Sequence, residues 1–374
     1  MYTEVHSTEE LHPHLSAGTL HRVVLQGLDL RSVSAALRAV SAAGAVFLGC
    51  TMDEETTAHV LATGGVLFPR LDGLPYHPFR PRLYTCQELM AGYQRGVAGS
   101  FFRDTLDSRV YDHFQAHRTA AGPDSVMETL AQRLHDHAID DALGDLLQDG
   151  ERQVVGVMGG HAMLRDDPDF LAVARIAQRL ARSGLFVATG GGPGAMEAAN
   201  LGAWMGPYTE AELTEAVQIL AAAPSYSDEG WFDTAYTVLD RFPSGAESLA
   251  IPTWFYGHEP SNLFASHIAK YFANSIREDG LLAIATRGVI YAPGSAGTIQ
   301  EVFMDAAQNH YGTFTFVSPM VFFGHRYWTE TKPVYPLLSQ LAAGRQYGEL
   351  LTISDDADEI AAFILDHPPV PYGS

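Results

Sequence analysis

The stretch "GVIYAPGSAGTIQEVFMDAAQ" (residues 288–308) runs from an apolar segment through a loop of small residues into a helical pattern. Strand, glycine loop, helix is the unit from which parallel sheets are built. The same plan recurs upstream. "QVVGVMGG" (153–160) is a strand ending in glycines, and "FLAVARIAQRLARSG" (170–184) is an amphipathic helix closed by Gly184. "LFVATGGGPGAMEAANLGAWMG" (185–206) is again strand, glycine turn and helix, "FTFVSPMVFFG" (314–324) a further strand region, and "DADEIAAFILDH" (356–367) a closing helix. "NLFASHIAKYFANSIRE" (262–278) reads as helical and 207–250 as an irregular insert. Near-continuous apolar strands alternating with helices predict, for 151–374, a Rossmann-like doubly wound parallel α/β sheet with helices on both faces. Before it, strands over 21–28, 45–50 and 64–69, a helix over 32–44, an irregular 74–84 and a helix over 124–150 predict a smaller N-terminal α/β domain, 1–150.

Bulk properties exclude several functions. The chain has 374 residues and a formal net charge of −21, which opposes a nucleic-acid backbone as partner. No apolar run reaches the roughly 18 residues of a membrane span, and the N-terminal segment carries acids and histidines where a secretory leader is basic and then apolar. Cys50 and Cys86 form no metal-type spacing or disulfide framework, so the expectation is a cytoplasmic protein. Only Lys270 and Lys332 are lysines, which leaves little room for Schiff-base chemistry and counts against a pyridoxal-dependent decarboxylase.

Three loops leave strands in the same sense: Gly159-Gly160-His161, Gly190-Gly191-Gly192-Pro193-Gly194 and Pro293-Gly294-Ser295-Ala296-Gly297. Glycine loops at strand ends let backbone N–H groups approach a phosphate, although glycine also serves plain turns. Neither the G-x-x-x-x-G-K-[ST] phosphate loop nor the G-x-G-x-x-G dinucleotide fingerprint is present. Thr298 and Glu301 have capping-box spacing, yet a glutamate beside such a loop also faces a ligand. His161 is either near a base or ribose or a helix-start residue without chemistry. Trp254, Phe255 and Tyr256 either stack on a base or form a buried cluster, the reading favoured by their apolar bulk. His135, His137, Asp140 and Asp141 read as a solvated polar face, and no metal site or cofactor is expected.

As an ordered set, "GGHAM" (159–163), "TGGGPGAMEA" (189–198), "EPSN" (259–262) and "PGSAGTIQE" (293–301) resemble the LONELY GUY (LOG)-type phosphoribohydrolases. The resemblance covers about residues 150–345 and is closer to the long bacterial pyrimidine/purine nucleotide 5′-monophosphate nucleosidases. It implies hydrolysis of the N-glycosidic bond of a nucleoside 5′-monophosphate to free base and ribose 5-phosphate, and a homodimer or higher homo-oligomer. It further implies a catalytic pair, Arg277 and Glu301, with Arg287 the fallback for the arginine. Gly294, Ser295, Ala296, Gly297 and Thr298 would hold the 5′-phosphate. Gly159, Gly160, His161, Gly190, Gly191, Gly192, Gly194, Met196, Glu259 and Asn262 would contact the nucleotide. In that role Glu301 stabilises an oxocarbenium-like ribose and Arg277 grips phosphate or departing base. An arginine ending helix 262–278 would equally complement the helix dipole. Ser295 replaces a motif glycine, and its Cβ would oppose a positive φ. The alternative is a sensor that binds a nucleotide on the same fold without cleaving it.

Overall fold

The computed structural model describes residues 2–120, 122–147, 152–257 and 260–373. The chain forms two compact units: one holds the chain up to Leu83 together with Val110–Leu146, the other Tyr84–Arg109 together with the chain from Leu147 onward. The boundary expected near residue 150 is therefore crossed by an excursion, Tyr84–Arg109. Its physical reason is a buried ion pair inside the second unit. Lys270 Nζ donates to Asp107 Oδ1 at 2.7 Å and Oδ2 at 2.9 Å, and Trp254 Nε1 donates to the same Oδ1 at 2.8 Å. Removing one partner of such a pair strands a charge in the interior, at a cost of about 3–5 kcal/mol.

In the first unit, β1 (Thr3–Val5), β2 (Val23–Gln26), β3 (Val46–Leu48) and β4 (Val66–Phe68) form a parallel sheet in that order. Leu11 of α1 (Thr8–Ser16) and Val60 of α2 (Glu54–Ala62) join Val23, Leu25 and Phe47 in its core. The helix expected over 32–44 is shorter. A 3-10 turn, Arg31–Val33, leads into one helical turn, Ser34–Arg38, with no side-chain cap on either. Helices α3 (Leu106–Ala116) and α4 (Val126–Leu147) follow.

Among the described residues the second unit carries a seven-stranded parallel sheet: β5 (Val154–Met158), β6 (Phe186–Thr189), β7 (Leu249–Ala250), β8 (His267–Ile268), β9 (Val289–Tyr291), β10 (Met320–Phe323) and β11 (Leu351–Ser354). Their order is β8-β7-β6-β5-β9-β10-β11. Every residue of β5, β6, β9 and β10 is buried, as covering on both faces requires. Helices α5 (Pro168–Arg182), α6 (Ala195–Trp204), α7 (Glu210–Leu220), α8 (Trp231–Arg241), α9 (Asn274–Ile284), α10 (Ala296–Tyr311), α11 (Val334–Ala342) and α12 (Ala357–Asp366) complete it. Packing of α5 on α6 and α12, and of α10 on α9 and α11, gives the two helical layers of a Rossmann-like doubly wound fold.

Two expectations need correction. The insert 207–250 is not irregular: Thr209 closes a capping box with Glu212 to start α7, and α8 buries Trp231, Phe232, Ala235 and Val238. The helix expected over 262–278 begins only at Asn274. Before it the chain is extended, with Ile268 paired to Ala250 and, across an isolated bridge, to Tyr84. Burial of Lys270 and Asn262 by tertiary partners outweighs the helical spacing of the apolar residues. No helix among the described residues is long and apolar enough to cross a membrane.

Helices α5 and α6 cross closely, and a Cβ on Gly202 would lie 2.0 Å from the Ala174 carbonyl oxygen. Gly202→Ala is expected to force the helices apart and destabilise the protein by ~1–3 kcal/mol, read as a lower midpoint in thermal or urea unfolding.

Candidate functional site

The strand order reverses between β5 and β9: the chain leaves β5 toward β6 on one side and β9 toward β10 on the other. Connections that diverge at neighbouring carboxyl ends leave a crevice, the usual ligand position in such sheets. A cavity of about 680 Å³ opens there, lined by residues of all three glycine loops together with Arg277 and Glu301.

The loops meet backbone to backbone. Gly160 N donates to Pro293 O at 2.9 Å, and Gly160 O accepts from Ala195 N at 3.1 Å. Gly194 has φ +70°, and a Cβ there would fall 2.4 Å from Gly160 O. A Cβ on Gly294 would fall 2.2 Å from Thr298 Oγ1. Ser295, by contrast, has φ −112°, so the positive φ that its Cβ would oppose does not arise. It is the N-cap of α10, with no side-chain cap hydrogen bond, which leaves the first-turn amides of a sixteen-residue helix facing the cavity mouth.

Thr298 is already the third residue of α10, so the capping box with Glu301 does not form. Glu301 Oε1 instead accepts from Arg277 Nη1 at 3.2 Å, both side chains being mostly buried. Burial pushes the Glu301 carboxyl up to about 7, with Arg277 opposing the shift and Glu278 adding to it. Arg277 belongs to the first turn of α9, not to a helix C-terminus, so the dipole-complementing role fails. A cation at that end is opposed by the helix dipole, by about 0.3–1 kcal/mol in exposed settings. Its Nε is buried with no hydrogen-bond partner among the described residues. Arg277 is thus placed against its local preference and keeps a donor in reserve. Arg287, the fallback, donates to Leu365 O at 2.7 Å and does not line the cavity.

Gly159, Gly160, His161, Gly190, Gly192, Met196, Gly294, Ser295, Ala296, Gly297 and Thr298 all line the cavity. Gly191, Gly194 and Asn262 do not. Gly191 has φ +77° and packs on Ala250 and Pro252. Asn262 is fully buried; its N donates to Gly191 O at 2.9 Å and its Nδ2 to Asn200 Oδ1 at 2.9 Å, so it shapes the glycine turn from behind. Glu259 lies outside the described residues. The aromatic run divides: Trp254 is core, whereas Tyr256 is exposed, lines the cavity and donates to Glu278 Oε1 at 3.4 Å. His135 is fully buried beside Asp136 rather than on a solvated face, although His137 and Asp140 are exposed. Cys50 and Cys86 are free thiols, pushed by burial up to about 11 and about 12.

Two residues that touch the third loop carry no motif. Lys332 Nζ donates to Ser295 Oγ at 3.0 Å and reaches Gly294 O at 3.4 Å. Tyr327, opening the π-helical turn Tyr327–Thr331, donates its hydroxyl to Gly294 O. Lysine scarcity made Lys332 conspicuous, but nothing in its neighbourhood marks it as a neighbour of the loop. The cavity's described lining otherwise holds four acids, Asp167, Asp169, Glu278 and Glu301, against Arg277. Lys332 is not itself part of that lining, but its ammonium lies against the loop through Ser295 Oγ.

No family model and no curated protein matches the chain. Among solved structures, the molybdenum cofactor binding protein of Rippkaea orientalis is 14% identical with a TM-score of 0.38, covering 58% of this chain and 98% of its own. The Moco carrier protein of Chlamydomonas reinhardtii is 16% identical with a TM-score of 0.35, covering 58% of this chain and 99% of its own.

The two neighbours of Glu301 act in opposite senses on its proton affinity. Arg277→Gln is expected to move its titration upward from about 7 and Glu278→Gln to move it downward. Carboxyl 13C NMR titrations compared with Glu301→Gln, which deletes the signal, read both directions.

Proposed function

We propose that the protein hydrolyses the N-glycosidic bond of nucleoside 5′-monophosphates, as the resemblance to LOG-type phosphoribohydrolases implies. The observation that carries this reading is the Arg277–Glu301 pair, 3.2 Å apart, in one cavity with the three glycine loops. In the reaction the C1′–N bond breaks with its electron pair leaving on the base. Water adds to C1′, losing one proton and supplying the proton the base acquires. Glu301 as carboxylate faces the developing positive charge on the ribose and accepts the proton from water. Arg277 orients that carboxylate and, through its unpartnered Nε, hydrogen-bonds phosphate or departing base. The 5′-phosphate lies against the amides at the start of α10, with Ser295 Oγ and Lys332 Nζ beside it. Ribose 5-phosphate and free base are the products, and a homodimer is the assembly expected from the same resemblance.

Purified protein given AMP, GMP, CMP or UMP is expected to release free base by liquid chromatography. Glu301→Gln is expected to lower kcat by ~10²–10³ or more, the scale for losing one preorganised electrostatic partner of a transition state. Because the carboxylate is the working form and its proton leaves near 7, kcat/KM is expected to rise with pH through that region. Lys332→Met is expected to raise KM about tenfold or more with a smaller change in kcat, since the phosphate is bound alike in ground and transition states. Tight nucleotide binding without base release identifies a sensor instead, and failure of every nucleotide both to bind and to be cleaved ends the proposal.

A further inference from the structure

The first unit has a cluster that the nucleotide site does not use. Four side chains gather where α3 gives way to α4: His113 in the last turn of α3, His117 just past its end, Asp124 against His117, and Glu128 in the first turn of α4. His113 Nε2 lies 2.9 Å from Glu128 Oε1, and His117 Nδ1 lies 3.0 Å from Asp124 Oδ2. The two imidazole centroids are 4.5 Å apart. One ligand atom from each of His113, His117 and Glu128 falls within 4.8 Å of the others.

Two histidine–carboxylate hydrogen bonds bracing a turn would account for part of this arrangement. They leave Glu128 Oε2 unaccounted for: the residue is only 8% exposed, and this oxygen has no hydrogen-bond partner among the described residues. A buried carboxylate oxygen with nothing to accept from is a place for a cation. We propose that His113, His117 and Glu128 form a divalent-metal site that takes Zn²⁺, with Asp124 holding the His117 ring. The donor set argues for the ion, since two imidazoles and one carboxylate suit Zn²⁺, whereas Ca²⁺ and Mg²⁺ require oxygen ligands. With Nδ1 of His117 engaged by Asp124, Nε2 is the nitrogen that ligates, in the carboxylate–histidine–metal relay that fixes ring orientation. Zinc–ligand bonds of about 2.0–2.1 Å place tetrahedral ligands about 3.3 Å apart. Side-chain rotation closes the cluster to that spacing, and His117, whose side chain is 37% exposed, is free to make it. Three protein ligands leave the fourth position to water. The site does not depend on the nucleotide reading.

The test uses the full chain, stripped with EDTA and desalted, and titrated with Co²⁺ in the visible spectrum and with Zn²⁺ by calorimetry. One equivalent is expected to bind with micromolar or tighter affinity, to give tetrahedral Co²⁺ bands and to raise the unfolding midpoint. His117→Gln, at a half-exposed position that leaves packing intact, and Glu128→Gln are each expected to weaken that equivalent at least tenfold and to abolish the bands. Circular dichroism checks that both variants are folded. Absence of a bound equivalent at 100-fold excess Zn²⁺ overturns the proposal, as does an equivalent retained by both variants, which would belong to other histidines.

Discussion

Three turns share one crevice only because their backbones touch where a Cβ would stand. The contact of Gly194 with Gly160 O and that of Gly160 with Pro293 O and Gly294 Cα set the spacing from which the rest of the site is measured. Positive φ at Gly191 and Gly194 bends the second turn toward the first, and buried Asn262 keeps it there by binding the carbonyl side of the turn. The start of α10 is thereby fixed against β5, so Glu301, in the second turn of that helix, is carried by packed elements rather than by a free loop. Rigidity of this kind is what a preorganised electrostatic site needs.

Charge is distributed against local preference. The net charge of −21 is carried into the cavity, where four acids line the wall. At one end stands the start of α10, whose N-cap Ser295 makes no side-chain cap and accepts from Lys332 Nζ. Arg277, opposed by its own helix dipole, is held by Glu301, and Glu301, raised by burial, is held back by Arg277. The guanidinium thus offsets part of the rise in proton affinity that burial imposes on the Glu301 carboxyl.

The core of this architecture was legible because its elements are long and punctuated. β5, β6 and β9 are apolar runs ending in glycine, and α5, α6 and α10 follow with helical spacing. The two-residue strands Leu249–Ala250 and His267–Ile268 are not, since two residues carry no periodicity. Apolar spacing over 262–278 favours a helix that buried Asn262 and Lys270 prevent, so Arg277 opens a helix instead of ending one. Thr298 and Glu301 matched a capping box in spacing but not in position, because α10 begins two residues before Thr298. Lys332 lies 37 residues from Ser295, and no local pattern announces a contact at that separation. The acids near the α4 histidines lie on that same helix, whereas His113 and His117 meet carboxylates that come from beyond the turn.

The Asp107–Lys270 pair bears on how the chain is made. Its partners are 163 residues apart, and the segment bearing Asp107 is synthesised before the strands it joins. At ribosomal rates of about 5–20 residues per second, that carboxylate waits on the order of ten to thirty seconds for its ammonium. During that interval Tyr84, Phe101 and Leu89, all destined for the interior, have no wall to lie against. The larger unit therefore closes only after the segment with Lys270 has been made.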